Sequence, residues 1–156
     1  FFEYGEERFA RAIARNIVSI RDEERIDTTF KLREIVAKSI KSQDAHPEKR
    51  VFQALRIEVN RELEVLENTI EKVVDHLKKD GRIAIITFHS LEDRIVKNKF
   101  KDLARDCICP PEFPVCVCDH RAKIKIITRK PLTASKAELR DNSRSKPAKL
   151  RVGQRI

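Results

Sequence analysis

The stretch from Gly81 to Arg94 constrains the fold of this chain more than any other. A nearly unbroken apolar run from Ile83 to Phe88 follows Gly81 and ends at the polar residue His89. Such a run is typical of a strand that is buried on both faces, as in a parallel sheet covered by helices. A helical pattern then begins at Ser90. The stretch therefore predicts a strand, a sharp turn and a helix, which together indicate an α/β fold.

The turn after this predicted strand contains the candidate catalytic residues. Serine is a preferred N-cap, and Asp93, three residues after Ser90, gives a weak form of the capping box. Ligands of open α/β sheets bind beyond the carboxyl ends of the strands. We therefore take His89, Ser90 and Asp93 as candidate catalytic residues. His89 has an equally good structural interpretation, in which it joins the turn to the helix. For Asp93 we favour a local ion pair with Arg94 or a role in holding the turn.

Helical periodicity dominates the first half of the chain. Apolar residues recur every three or four positions, which predicts four amphipathic helices. A polar loop at 41–47 separates the second helix from the third, and Gly81 follows the lysine-rich end of the fourth. Residues 1–58 are thus expected to form a small helical lobe and 59–156 an α/β domain. The predicted helices run from Glu6 to about Ile20, from caps within Asp27–Thr29 to about Ile40, from about Glu48 to Asn60 and from Leu63 to Leu77.

The last third of the chain contains weaker signals. Partial alternation over Lys123–Arg129 and the pattern of Ala148–Val152 predict two strands. Ser135 and Glu138 form a capping box that predicts a short helix. A buried strand needs hydrogen-bonded neighbours. We therefore expect the sheet to require more strands than this chain obviously supplies.

The charge of the chain favours a polyanionic partner such as RNA. Its net charge is +9 and its pI is near 9.6, which is typical of proteins that bind nucleic acid. No apolar run is long enough to span a membrane and there is no signal peptide, so we expect a cytoplasmic protein. Lys49 and Arg50 can instead form an ordinary solvated face, and Gln53 and Arg56 can make hydrogen bonds within the lobe. The candidate RNA-binding residues are Lys49, Arg50, Gln53, Arg56, Arg144, Lys149 and Arg151.

Four cysteines form two Cys-x-Cys pairs on either side of a proline-rich turn. We call residues 107–118 the Cys-rich hairpin. Clustered cysteines in a cytosolic protein favour a metal over a disulfide, and four converging thiolates suit tetrahedral zinc. Cys-x-Cys is not the usual Cys-x-x-Cys knuckle, so reduced thiols or a disulfide stay open as alternatives. A bound metal would be a structural staple. The candidate metal ligands are Cys107, Cys109, Cys116 and Cys118.

Four stretches of the chain agree with one protein family. Phe88-His-Ser-Leu-Glu-Asp-Arg94 resembles the signature of the bacterial MraW-family methyltransferases, which modify N4 of a cytosine in small-subunit ribosomal RNA. Phe1–Arg8, Phe52–Asn60 and Ala148–Val152 also agree with that family and follow in its order. Four matches in register are more specific than any one of them.

The resemblance implies the C-terminal part of a Rossmann-like methyltransferase fold, with the helical lobe as an inserted substrate-recognition domain. It implies S-adenosylmethionine as cofactor and small-subunit ribosomal RNA as partner. Family members place the cofactor site in a preceding segment, around a glycine-rich loop. This chain has three glycines, at 5, 81 and 153, and no Gly-x-Gly pair. We therefore expect no cofactor-binding residue in it.

The chain is also expected to be a fragment. It contains no methionine and begins with Phe1-Phe2, whereas a translation product normally begins with methionine. A fragment without the cofactor site is expected to be inactive alone. The alternative function is a non-catalytic basic RNA-binding module stabilised by a structural metal.

Overall fold

The chain folds into two compact units. The computed structural model describes residues 1–40, 46, 48–107, 109–110, 112–118 and 120–156. The units are Phe1–Glu62 and Leu63–Ile156. Along the chain, the boundary follows Arg61, whose left-handed φ of 52° separates two consecutive helices. The boundary predicted from the sequence lay after residue 58. No helix in the described part of the chain is both long enough and apolar enough to cross a membrane.

The first unit is helical. Its helices are α1 (Phe2–Gly5), α2 (Ala10–Glu23), α3 (Thr29–Ser39) and α4 (Glu48–Asn60). The predicted apolar stripes supply its core: Ile13 of α2, Val36 of α3 and Val51 of α4 are each 0% exposed. Burial of these stripes is the main force that holds the unit together. The predicted loop at 41–47 lies, apart from His46, outside the described residues.

A break at Glu6 separates the predicted first helix from a shorter helix, α1, that the sequence did not predict. Glu6 adopts a left-handed conformation (φ 49°) after α1, and the main helix begins only at Ala10. A Cβ atom at Gly5 would lie 2.6 Å from the carbonyl oxygen of Arg50, so only glycine lets α1 approach α4 this closely. Periodicity did not reveal this break because it depends on a tertiary contact.

The second unit is an antiparallel sheet with helices. Its elements are α5 (Glu62–His76, from the unit boundary), β1 (Arg82–Thr87), α6 (Ser90–Leu103), β2 (Ile124–Ile126), β3 (Leu132–Thr133), α7 (Lys136–Asp141) and β4 (Lys149–Arg155). Strand β4 is central. It pairs with β1 along one side, from Arg82 opposite Gln154 to Thr87 opposite Lys149. β2 and β3 pair with two ends of its other side.

This sheet corrects two expectations. The neighbour of β1 among the described residues is β4, which is antiparallel, and the chain itself supplies a four-stranded sheet. Strand β1 is also buried on only one face: Ile83 and Thr87 are 7% and 2% exposed, whereas Ile86 is 59% and Phe88 56% exposed. The apolar run is continuous because apolar side chains lie on both faces of β1.

Helices α5 and α6 cover one face of the sheet. Phe100 of α6 is the largest side chain in this core and is 2% exposed. Lys123, just before β2, bridges to Glu71 and Asp75 of α5 at 3.0 Å each. The buried core consists of Ile70, Val74, Ile83, Val96, Phe100, Leu103 and Ile124.

The turn between α5 and β1 differs from the predicted glycine cap. Asp80 has the left-handed φ, 65°, and Gly81 does not. The N–H of Gly81 donates to the carbonyl of Lys78 at 2.9 Å, and a Cβ at Gly81 would lie 2.8 Å from that oxygen. Gly81 is therefore required for a close approach. Its own carbonyl accepts the N–H of Arg155 at 2.8 Å, which ties the turn to the end of β4.

The predicted elements of the last third are present with altered bounds. The side chain of Ser135 accepts the N–H of Glu138 and caps α7, as predicted. The predicted strand at 123–129 is shortened to β2, and the last strand extends to Arg155. Ser143–Ser145 forms a single 3₁₀ turn before β4.

The close packing at Gly153 gives a test of the sheet register. A Cβ at this position would lie 3.1 Å from Ile124 Cδ1 and 3.4 Å from Phe100 Cε2. We expect Gly153→Val to lower the free energy of unfolding by about 1–3 kcal/mol through overpacking. The matched control is Ala84→Val, which adds volume to the exposed face of β1 and should change stability by less than about 0.5 kcal/mol. Denaturant titration measures both, and equal effects would contradict the register.

Candidate functional site

His89 forms the N-cap of α6. Its backbone is extended, and its ring Nδ1 accepts the N–H of Glu92 at 3.4 Å. The carboxylate of Glu92 accepts the backbone N–H of His89 at 3.2 Å and that of Phe88 at 2.8 Å. The helix is thus capped by His89 with Glu92. The predicted box of Ser90 with Asp93 was wrong by one residue, because Ser90 is already the first helical residue.

The cap determines what the imidazole of His89 can do. Nδ1 accepts a hydrogen bond, so the neutral ring carries its proton on Nε2. Nε2 lies 3.3 Å from Oε1 of Glu92 but makes no well-aligned hydrogen bond within the described residues. The side chain is 10% exposed. In this arrangement His89 has no free basic nitrogen. The structure therefore places His89 as the cap that joins the turn to helix α6. For His89 to act as a base, its Nδ1 would first have to release the N–H of Glu92.

Asp93 is held in a buried ion pair. Arg151 of β4 donates to it through Nε at 2.6 Å and Nη2 at 3.1 Å, and Lys149 Nζ lies 3.4 Å away. Asp93 is 9% and Arg151 7% exposed. The hydrogen bond from Arg151 holds the pKa of Asp93 below its usual value, against the opposing effect of burial. The ionised carboxylate joins α6 to β4.

The predicted RNA-binding residues of α4 divide into two groups. Gln53 donates to the carbonyl of Tyr4 at 3.3 Å, and Arg56 binds Glu62 through Nε and Nη2 at 2.8 and 3.0 Å. Gln53 and Arg56 therefore make hydrogen bonds within the helical unit, which was the alternative to RNA contact. Arg50 lies 3.9 Å from the buried carboxylate of Glu7 but remains half exposed. Lys49 is exposed, and its ammonium has no ion-pair partner in the described part of the chain.

Helices α3 and α4 form a groove that combines cations with aromatic rings. Phe30 is 73% exposed at its edge. Arg33 stays largely in solvent, 4.0 Å from Glu48. Phe30 and Arg33 were not predicted as site residues, since their pattern on α3 is that of an ordinary helix face. The groove is lined by Thr29, Phe30, Arg33, Glu48, Lys49, Phe52, Gln53 and Arg56.

The C-terminal candidates are placed very differently from one another. Arg144 is exposed on the 3₁₀ turn and has no ion-pair partner among the described residues. The ammonium of Lys149 is partly exposed but bound to Asp93. Arg151 is buried against the same carboxylate. Alternation along β4 turns the side chain of Arg151, which we predicted to contact RNA, towards the core.

A second basic cleft of the α/β unit was also missed. Lys97 and Lys101 lie one turn apart on α6 and face Arg129 after β2. All three are exposed. Their only sequence signal is the spacing of four residues between the two lysines. The cleft adds cationic surface to this unit.

The sulfur atoms of the Cys-rich hairpin converge. Cys116 Sγ lies 3.4 Å from Cys107 Sγ, 3.5 Å from Cys118 Sγ and 4.0 Å from Cys109 Sγ. The backbone N–H of Cys109 lowers the pKa of Cys107, but the neighbouring thiols outweigh it and raise that pKa to about 12. In the absence of a metal ion, this pKa corresponds to a protonated Cys107 thiol at neutral pH.

The model of the MraW methylase family matches residues 1–156. The chain belongs to this family. The match covers all four stretches on which the resemblance was based, and it agrees with the mixture of helices and an antiparallel sheet in the α/β unit.

Curated relatives of this MraW-family chain are similar over its whole length. It is 57% identical to a protein named ribosomal RNA small subunit methyltransferase H from Clostridium botulinum, over 100% of this chain and 52% of the relative. Proteins of the same name are 54% identical in Lachnospira eligens (99% and 50%) and 52% identical in Halothermothrix orenii (100% and 51%). The chain spans about half the length of these relatives.

The ion pair of Asp93 predicts a pH-dependent stability. Asp93→Asn leaves the Arg151 cation uncompensated and should lower the free energy of unfolding by about 3 kcal/mol at neutral pH. The folded pKa lies below the usual 3.8, so this contribution is complete above about pH 5 and disappears as the pH falls through the folded pKa. Denaturant titrations of both proteins across this range measure the loss.

A matched control is Glu67→Gln. Glu67 pairs with Lys99 at 3.5 Å, but its side chain is 54% exposed, so the change should stay below about 1 kcal/mol. Asp93→Leu combined with Arg151→Met should be far less destabilising than Asp93→Asn, because no charge is left buried. A difference between Asp93→Asn and the parent that did not shrink in acid would refute the ion-pair account.

Proposed function

We propose that the protein containing this chain transfers a methyl group from S-adenosylmethionine to N4 of a cytosine in small-subunit ribosomal RNA. The observation that carries the proposal is the family match over residues 1–156, supported by relatives of 52–57% identity that are named as small-subunit ribosomal RNA methyltransferases. Because the chain spans half of each relative, the activity is proposed for the whole protein. The non-catalytic alternative is not favoured, since these relatives carry the name of an enzyme.

We propose a Rossmann-like methyltransferase fold to which the α/β unit contributes. The order helix, strand, helix over α5, β1 and α6 supports it, as does the apolar second face of β1. The helical residues 1–58 are proposed as the inserted domain that recognises substrate. Their groove of cations and aromatic rings supports that role.

The chemistry demands alignment more than a strong base. The lone pair of N4 is delocalised into the cytosine ring, so methyl transfer depends on in-line geometry and on acceptors for the amine hydrogens. The base must also leave any stack to reach the methyl donor. S-adenosylmethionine supplies the electrophilic methyl group when it is bound. The proposed contribution of this chain is to bind the RNA and to hold the turn after β1 in place.

The glycines of this chain do not fit a cofactor-cradling loop. Gly5 ends α1, Gly81 is packed against the carbonyl of Lys78, and Gly153 lies within β4. None opens a glycine-rich turn after a strand. We therefore assign no S-adenosylmethionine contact to a residue of this chain and derive no catalytic step from one.

We propose that single-stranded RNA binds in the groove between α3 and α4. The exposed ring of Phe30 offers a stacking platform, and Lys49 and Arg33 can contact phosphates beside it. Stacking of a base on an aromatic ring stabilises binding by about 1–3 kcal/mol. Arg144, in the other unit, is proposed as a separate phosphate contact.

We propose His89 as a positioning residue that holds the β1–α6 turn. His89→Ala removes the cap and should lower the free energy of unfolding by about 1 kcal/mol and reduce methyl transfer. His89→Asn keeps a cap acceptor without an imidazole, so it should retain most of both. The measurements are denaturant titration and incorporation of labelled methyl groups into small-subunit RNA by the full-length protein.

The two variants separate structure from chemistry. If His89→Asn is as stable as the parent but loses methyl transfer, the imidazole takes part in the reaction, and the positioning role is wrong. RNA affinity and its salt dependence should stay unchanged in both variants, because His89 is not a phosphate contact in this proposal.

The groove predicts different effects for its ring and its cation. Phe30→Ala should weaken single-stranded RNA binding by about five- to one-hundred-fold, with an unchanged salt dependence, and Phe30→Tyr should restore it. Lys49→Ala should instead lower the slope of log affinity against log salt by about 0.7. Lys72→Ala removes an equally exposed lysine from α5 and serves as the control. Phe30→Ala with the affinity of the parent would exclude the groove as an RNA site.

A further inference from the structure

The Cys-rich hairpin is anchored at its base, and its described large apolar side chains are exposed. Beside it, Lys123 N–H donates to the carbonyl of Leu103 at 2.7 Å, and Ala122 N–H donates to the carboxylate of Asp106 at 3.3 Å. These bonds bring the two stems together between α6 and β2. The large apolar residues further out, Phe113, Val115 and Val117, are 51%, 69% and 74% exposed. Burial of apolar surface therefore does not explain the hairpin's conformation.

Four of the six sulfur–sulfur distances in the hairpin lie between 3.4 and 4.0 Å. Besides the three distances from Cys116, Cys118 Sγ lies 3.7 Å from Cys107 Sγ, and all four sulfurs are within 4.8 Å of one another. A zinc ion about 2.3 Å from four thiolates places the sulfurs about 3.8 Å apart at the corners of a tetrahedron. The arrangement matches that spacing. A disulfide would instead bring two sulfurs to about 2.05 Å.

Backbone N–H groups are directed at two of the sulfurs. Cys109 N–H donates to Cys107 Sγ and Val117 N–H donates to Cys109 Sγ, each at 3.4 Å. Donors directed at sulfur stabilise a thiolate, which is the form that binds metal. They come from both arms of the hairpin. Donors from both arms are thus directed at the two sulfurs of the first arm, Cys107 and Cys109.

We propose that Cys107, Cys109, Cys116 and Cys118 bind one Zn²⁺ in a closed tetrahedral site that holds the hairpin together. Binding releases the four thiol protons and leaves a tetrathiolate complex of charge −2. Four protein ligands leave no open position, which is the pattern of a structural zinc site rather than a catalytic one. The ion would provide the crosslink that apolar packing does not. This site is independent of the proposed methyl transfer.

The test is the metal content of the full-length protein purified without chelator under reducing conditions. We expect about one zinc per chain. Co²⁺ added to the metal-depleted, reduced protein should give the visible and near-ultraviolet absorption of tetrahedral cobalt thiolate. Cys109→Ser should lower the affinity for Co²⁺ at least tenfold, and it should make the hairpin more sensitive to limited proteolysis while the helical unit stays protected.

The matched control is Val117→Ser, which makes a serine between two ligands and leaves all four thiols and the backbone donor in place. It should keep the zinc content and cobalt spectrum of the parent. Metal-free protein whose reduced form gives no cobalt thiolate absorption would overturn the proposal. So would mass spectrometry that finds the cysteines of freshly purified protein joined as disulfides, or cobalt binding that is unchanged in Cys109→Ser.

Discussion

The α/β unit depends on the ion pair between Asp93 and Arg151. It joins the first turn of α6 to the middle of β4, the strand on which the other three strands pair. Strand side chains alternate between faces, so a shift of one residue would move Arg151 out of the core and leave Asp93 unpaired. Such a shift would also replace Gly153 beneath Phe100 with a larger residue. The pair therefore specifies register, whereas its net contribution to stability is limited by the desolvation of both charges.

The same helix end fixes the conformation of the β1–α6 turn through hydrogen bonds. Glu92 accepts two backbone N–H groups, and His89 accepts one in return. The turn is thus held by the cap on one side and by the ion pair of Asp93 on the other. The two neighbouring carboxylates of the motif at 88–94, Glu92 and Asp93, both bind groups of the α/β unit. In the motif that resembles the family signature, the side chains of His89, Glu92 and Asp93 thus make hydrogen bonds that hold the turn.

The cationic surface shows how folding selects among similar residues. Lys49 and Arg144 stay exposed, while Arg56 and Arg151 are bound to carboxylates of their own unit. Amino-acid composition does not distinguish the exposed cations from the paired ones, because the number of charged residues says nothing about where each side chain points. The groove at Phe30 adds an aromatic ring to the cations of the helical unit. In the proposed role, positive charge would attract RNA at long range, and the groove would provide a shaped surface for one strand.

Local patterns in the sequence determined the helices, the strand at 83–87, the cap of α7 by Ser135 and the four-stretch resemblance to the MraW family. Each depends on residues close in the chain, whose periodicity or hydrogen bonds do not need a partner from elsewhere. The break at Glu6, the antiparallel pairing of β1 with β4, the burial of Arg151 and the convergence of sulfur atoms in the hairpin were decided by tertiary structure. These features join residues up to several dozen positions apart. Only packing in three dimensions determines which distant group each side chain meets.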